Sequence, residues 1–208
     1  MEFQYYGANC LRLTTKKATI VIDDNLKNLG LKSVTKESDI AVSTFDTGET
    51  VSIARLTLDQ PGEYEVSDIS VQGVAARSHM DEADKQSATI FKLLADDIRV
   101  VVTGHIWPEL KDEQLEAIGQ VDVLIIPVGG SGYTMDGVDA LKLIKKIEPS
   151  IVIPTHYADK DIKYEVAQQS LSEALKDMAM EPKETVAKLK LKPADITENT
   201  ELIVLERQ

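Results

Sequence analysis

The chain carries three histidines, His79, His105 and His156, and histidine is the side chain best suited to proton transfer and metal ligation near neutral pH. Each lies just beyond a segment that reads as a β-strand: 69–76 before His79, 98–103 before His105, and 151–153 before His156. In layered α/β folds ligands gather at the carboxyl ends of strands. This recurring position is therefore either a shared site or three separate surface histidines. Gly104 precedes His105, and Gly129-Gly130 follows an apolar run. Glycine in such places allows a close backbone approach or simply makes a tight turn.

The elements that would position these residues are legible in the hydrophobic pattern. Residues 10–15 alternate, a Lys16-Lys17 turn follows, and 18–22 is β-branched up to Asp23-Asp24, which together read as a hairpin. Residues 88–94 and 98–103 form a second hairpin across 95–97, so a strand–turn–strand pattern occurs twice. Ile40 to Thr44 reads as a short strand and 45–50 as a polar loop. Residues 121–128 and 151–154 are apolar runs of the kind buried on both sheet faces. Helices are expected over 111–119, closed by Gly119, and over 136–148. A longer helix is expected after Tyr157, with Tyr164, Ala167, Leu171, Leu175 and Met178 on one stripe. Residues 202–205 read as the last strand. No linker divides the chain, so 1–208 is expected to be one domain.

Composition narrows the function classes. With 23 basic and 35 acidic residues the formal charge is −12, which repels phosphate backbones and argues against nucleic-acid binding. The lysines at 183, 188, 190 and 192 have acidic neighbours and no aromatic residues among them, so they read as a solvated face. No apolar run reaches the ~20 residues that span a bilayer, and no signal-peptide pattern opens the chain. Cys10 has no partner for a disulfide and sits in an apolar alternation, which points to a buried thiol and a cytoplasmic, reducing setting. There is no phosphate-binding Lys loop and no G-x-S-x-G elbow. Ser131 reads as a loop residue, and Trp107, Tyr133 and Tyr157 as packing residues that could also border a cleft.

The order of these segments resembles the metallo-β-lactamase superfamily, in the branch of small metal-dependent hydrolases related to the ascorbate-phosphate lactonases. The likeness rests on YYGANCLRLTTKKATIVIDD (5–24), PGEYEVSDISVQGVAARSH (61–79), TGHIWPELKDEQLEAIGQVDVLIIPVGG (103–130), and the stretch from Asp136 through PSIVIPTHY (149–157). It implies an α/β fold, an αββα sandwich of two mixed sheets with helices outside, and a metal site at one sheet edge. In the family the main ligand cluster is His-x-His-x-Asp-His. Here DIAVSTFDTGET (39–50) takes its place, with Phe45 and Thr47 where histidines stand, Glu49 for the Asp, and Thr50 for the last His. His79 and His156 match family ligands, and His105 stands where the bridging Asp is expected. Asp23 matches an Asp that supports the metal loop.

The resemblance therefore implies a rebuilt mononuclear site in place of the two-metal centre. Its ligands would be His79, His105 and His156, with Glu49 as fourth ligand or general base. Glu49 and Asp23 are the candidate catalytic carboxylates. Three imidazoles and one oxygen suit one zinc ion, or iron or manganese. The expected activity is hydrolysis of a small-molecule substrate. The alternative is an inactive member of the fold that kept the sandwich, lost the metal and binds a protein partner.

Overall fold

The computed structural model describes residues 1–46 and 53–208. In chain order its strands open with β1 (Glu2–Gly7), β2 (Cys10–Thr14), β3 (Thr19–Ile22), β4 (Ile40–Val42) and β5 (Leu56–Leu58). Then follow β6 (Gly62–Val66), β7 (Ile69–Ala76), β8 (Ala88–Ala95), β9 (Ile98–Val102), helix α1 (Asp112–Ile118), β10 (Val123–Pro127), α2 (Gly137–Ile147) and β11 (Ile151–Thr155). The chain closes with α3 (Leu171–Met178), β12 (Pro182–Val186), β13 (Leu189–Lys190), a 3-10 turn at Pro193–Asp195, and β14 (Glu201–Leu205).

Two mixed sheets result. The smaller has the order β13-β1-β2-β3-β4-β5, and the larger β12-β14-β11-β10-β9-β8-β7-β6. Alternation explains which face each strand buries. Phe3, Tyr5, Leu11, Leu13, Ile20 and Ile22 of the smaller sheet point inward against Phe91, Leu93, Val100, Val102, Ile125 and Ile153 of the larger. The larger sheet also buries its other face, through Ile90, Val101, Leu124, Ile126 and Val152, under Ile118 of α1, Leu143 and Ile144 of α2, and Ala174 and Met178 of α3. That double burial is why β10 and β11 carry unbroken apolar runs. The outer face of the smaller sheet is covered more thinly. Cys10 and Val21 pack there against Leu26, from the irregular segment between β3 and β4. The expected α/β sandwich of two mixed sheets with helices outside is therefore observed, but α1, α2 and α3 all lie on the larger sheet, and among the described residues no helix covers the smaller one.

Both expected hairpins form with antiparallel register. The long helix does not. Residues 158–170 are irregular, and the helix begins only where Ser170 caps it, in a reciprocal box with Glu173. The reason lies in where the backbone hydrogen bonds go. Gln169 N–H donates to Gly129 O (2.7 Å), and Ala158 N–H donates to Gln169 O (2.8 Å), so this stretch straps itself to the end of β10 instead of bonding to its own preceding turn. The short strands β5, β12 and β13 are found in segments that the hydrophobic pattern left unassigned. Lys183, Lys188 and Lys190 lie on or beside β12 and β13 and face Glu201 and Glu2, as a solvated charged face would.

Strands β9, β10 and β11 run parallel, and β7 runs the same way because two antiparallel pairings separate it from β9. Their carboxyl ends therefore share one edge of the larger sheet. The exits of the parallel strands β3 and β4 meet that edge. Thr89 N–H donates to Thr44 O (2.8 Å), and Phe45 bridges to Ala88, which stitches the two sheets together.

Candidate functional site

All three histidines emerge at this edge. Beyond β7 and β9 the two exits pair as a short antiparallel ribbon centred on Ser78 and Ile106. Trp107 N–H donates to Arg77 O (2.7 Å), and His79 N–H donates to His105 O (2.9 Å). Alternation puts Arg77, His79 and Trp107 on one ribbon face. The Arg77 guanidinium sits 4.3 Å from the Trp107 ring centroid, and the His79 ring 5.1 Å from it.

His105 is 4% exposed. Its ring is enclosed by Phe45 at 4.1 Å, His156 at 4.7 Å and Tyr133 at 5.1 Å between centroids. Neither ring nitrogen of His105 has a hydrogen-bond partner among the described residues, nor does Nε2 of His79. Burial pushes the His105 pKa well below the usual histidine value, and His156 and His79 push it the same way. Burial also lowers His79, against the raising influence of Asp139 and Asp136, while Arg77 adds to the lowering. His156 takes φ +53° directly after β11, with its N–H on Ala8 O (2.7 Å). Its Nδ1 meets Gln168 Oε1 at 3.1 Å, which makes Nδ1 the protonated nitrogen of the neutral ring and leaves Nε2 with a lone pair. Burial brings its pKa down to about 4 despite that hydrogen bond. At neutral pH all three imidazoles are therefore uncharged, the form that ligates metals.

Asp23 lies deeper, 2% exposed. Its carboxylate accepts from Thr44 N–H (2.6 Å), Thr44 Oγ1 (2.6 Å) and Asn9 Nδ2. Asn9 Oδ1 in turn accepts from Thr155 Oγ1 (2.6 Å), one residue before His156. Burial raises the Asp23 pKa to about 6, while the Thr44 and Asn9 hydrogen bonds hold it down. This geometry is that of a support: the carboxylate clasps the β4 exit and, through Asn9, the β11 exit. Glu49, Thr47 and Thr50 lie outside the described residues.

The glycines mark close approaches of chain to chain. At Gly104 (φ +61°) a Cβ would meet Thr44 Oγ1 at 2.1 Å, and at Gly129 it would meet His156 O at 2.1 Å. Tyr133 borders both His105 and His156, whereas Tyr157 packs on Tyr5 in the core. Trp107 is half-buried beside His79. Cys10 is buried, and its thiol is pushed well up by burial, with Asp24 and Asp23 adding to the rise, so it is inert packing. Ser131 donates to Ala167 O and fastens the strap to the Gly129–Gly132 loop. Gln168, Arg77 and the Asn9–Thr155 pair are residues that sequence reasoning missed. Gln168 was hidden inside the expected helix. Arg77 and Asn9 stood within the quoted segments, but nothing about their residue type set them apart.

The donor chemistry suits a divalent transition metal: neutral imidazoles, with buried nitrogens that lack partners among the described residues. Among the described residues, however, no group of three or more His, Cys, Asp or Glu side chains adopts a metal-holding arrangement. The rings lie close without converging.

A family model described as "Beta-lactamase superfamily domain" matches residues 2–156. The chain belongs to this superfamily. A UPF0173 protein of Pyrococcus abyssi is 25% identical over 183 residues, covering 76% of this chain and 83% of its own. A protein of Carboxydothermus hydrogenoformans named "UPF0173 metal-dependent hydrolase" is 46% identical over 43 residues, which is 21% of this chain and about a fifth (19%) of that relative's length. The crystal structure of a Thermotoga maritima protein of the metallo-beta-lactamase superfamily aligns over 99% of both chains, with a TM-score of 0.76 at 23% identity. This likeness shows the fold: a metallo-β-lactamase sandwich, with relatives named metal-dependent hydrolases. Among the described residues no helix is long and apolar enough to cross a membrane.

Proposed function

We propose that this protein is a metal-dependent hydrolase of small molecules with a reduced site, holding one zinc, iron or manganese ion through His79, His105 and His156. The observation that carries the reading is the buried set of ring nitrogens without partners among the described residues, two on His105 and one on His79. Leaving buried polar atoms unpaired costs ~1–3 kcal/mol each, and an ion would take up the lone-pair nitrogen of each ring, which supports the reading. Bringing the three rings onto one ion requires side-chain rotation from the arrangement described. A bound divalent cation supplies Lewis acidity and brings the pKa of a water to ~7.

The protein's own part is positioning and exclusion of water. Gln168 fixes the ring orientation of His156. Phe45 and Tyr133 wall off His105. The Asp23 clasp holds the β4 and β11 exits in register. Glu49 is the proposed fourth ligand, or the base that takes the proton from water. Residues 1–208 act in this reading as one domain in the cytoplasm.

The test is elemental analysis of untagged protein purified without chelators, beside His105→Ala, followed by ester, lactone, amide and phosphoester panels. About one metal per chain, lost in the variant, together with turnover supports the reading. Metal well below stoichiometry after supplementation overturns it, and leaves an inactive member of the fold that works by binding.

A further inference from the structure

The chain has far more acid than base, yet among the described residues one guanidinium at the histidine edge has no carboxylate partner. Arg12 pairs with Asp39, Arg99 with Asp122, and Arg207 with Asp159 and Asp161. Arg77 makes no such pair among the described residues. Its Nε and one terminal nitrogen donate to the backbone carbonyl of Asp81, at 3.2 and 3.0 Å. The Asp81 carboxylate, four residues away, is turned elsewhere: it accepts from Ser78 N–H, Ser87 N–H and Ser87 Oγ, and faces Lys85. The Arg77 charge is thus held rigidly, by the carbonyl on one side and the Trp107 face on the other, without being neutralised. Both Arg77 and Trp107 are partly exposed, and the His79 ring lies on the same ribbon face. A pre-oriented guanidinium with donors to spare is the group best matched to a carboxylate or phosphate.

We propose that Arg77, stacked on Trp107, is an anion-recognition element beside the histidines, and that the ligand of this site is a small molecule bearing a carboxylate or phosphate. This deepens the hydrolase reading by naming a substrate class. The binding itself requires neither metal nor turnover, so the two ideas fail separately.

Trp107 is the only tryptophan in the chain, so its fluorescence reports on this position alone. Full-length protein stripped of metal on a chelating resin is titrated with benzoate, with phenyl phosphate, and with benzyl alcohol as the neutral analogue. The proposal expects at least one anion to bind about tenfold or more tightly than the alcohol, with an affinity that falls as salt rises, and a loss of that preference in Arg77→Met. The tighter anion tells carboxylate from phosphate. Equal binding of charged and neutral ligands overturns the proposal, as does an unchanged preference in Arg77→Met. If Arg77→Met does not fold, Arg77→Lys takes its place: it keeps the charge without the planar fork, and its anion preference must drop below that of wild type.

Discussion

Two polar regions sit within a few residues of each other at the sheet edge, and they are built in opposite ways. In the Asp23 clasp Thr44, Asn9 and Thr155 supply donors and acceptors that answer one another, and two of its bonds are 2.6 Å Thr44–Asp23 contacts. In the histidine cluster, rings pack edge to face while three buried nitrogens have no hydrogen-bond partner among the described residues. Both regions are buried, and burial moves both sets of pKa values. The difference teaches that the clasp is finished by the described fold alone, whereas the histidines, in the proposed reading, are completed by a bound ion.

The largest effect that would break this comparison belongs to the clasp. Asp23→Ala removes the acceptor of three buried donors, and is expected to lower stability by about 3 kcal/mol or more, read by urea denaturation. A loss below about 1 kcal/mol would mean that the clasp does not hold the β4 and β11 exits together.

The pH dependence separates the two regions by sign. His156 has a folded pKa of about 4 against ~6.5 unfolded, so its contribution to stability is present above ~6.5 and is lost as pH falls through about 4. His105 and His79, also lowered, act in the same direction. Asp23 has a folded pKa of about 6 against ~3.9 unfolded, so its contribution is present below ~3.9 and is lost as pH rises through about 6. The histidines outnumber it, and the metal-free protein is expected to gain stability from pH 4 to 6.5. The slope is about 1.4 kcal/mol per pH unit for each proton by which the two states differ. Denaturation across that range checks it, and His156→Asn should flatten the slope.

A third change sharpens the role of the strap. Gln168→Leu leaves His156 Nδ1 without its acceptor, and is expected to weaken zinc binding about tenfold with little change in fold, measured by competition with a chromophoric chelator. The smallest effect is the most telling. His105→Phe replaces orphaned nitrogens with an apolar ring of similar shape, and should change metal-free stability by less than about 1 kcal/mol, or raise it. The same kind of replacement in the clasp is costly.

Much of the architecture was legible because it follows from period and burial. The unbroken apolar runs of β10 and β11 could only be strands covered on both faces, and Lys16-Lys17 and Ala95-Asp96-Asp97 marked hairpin turns. The strap was misread because Tyr164, Ala167 and Leu171 fall at helical spacing, whereas the backbone there bonds to Gly129 and the helix waits for the Ser170 cap. Tertiary hydrogen bonding overrode a local period. Of the site, the histidines could be placed from residue type and strand ends, and Asp23 only through the family resemblance. Gln168 and Arg77 could not, because their roles depend on which carbonyl or ring the fold brings beside them.

The most direct measurement follows the ring nitrogens of the three histidines themselves. With only His79, His105 and His156 in the chain, a long-range proton–nitrogen NMR spectrum resolves each ring in untagged protein, before and after one equivalent of zinc. The account predicts that all three rings shift together and saturate at one ion per chain. Histidine resonances unmoved by zinc would contradict it, and would leave the cluster as packing.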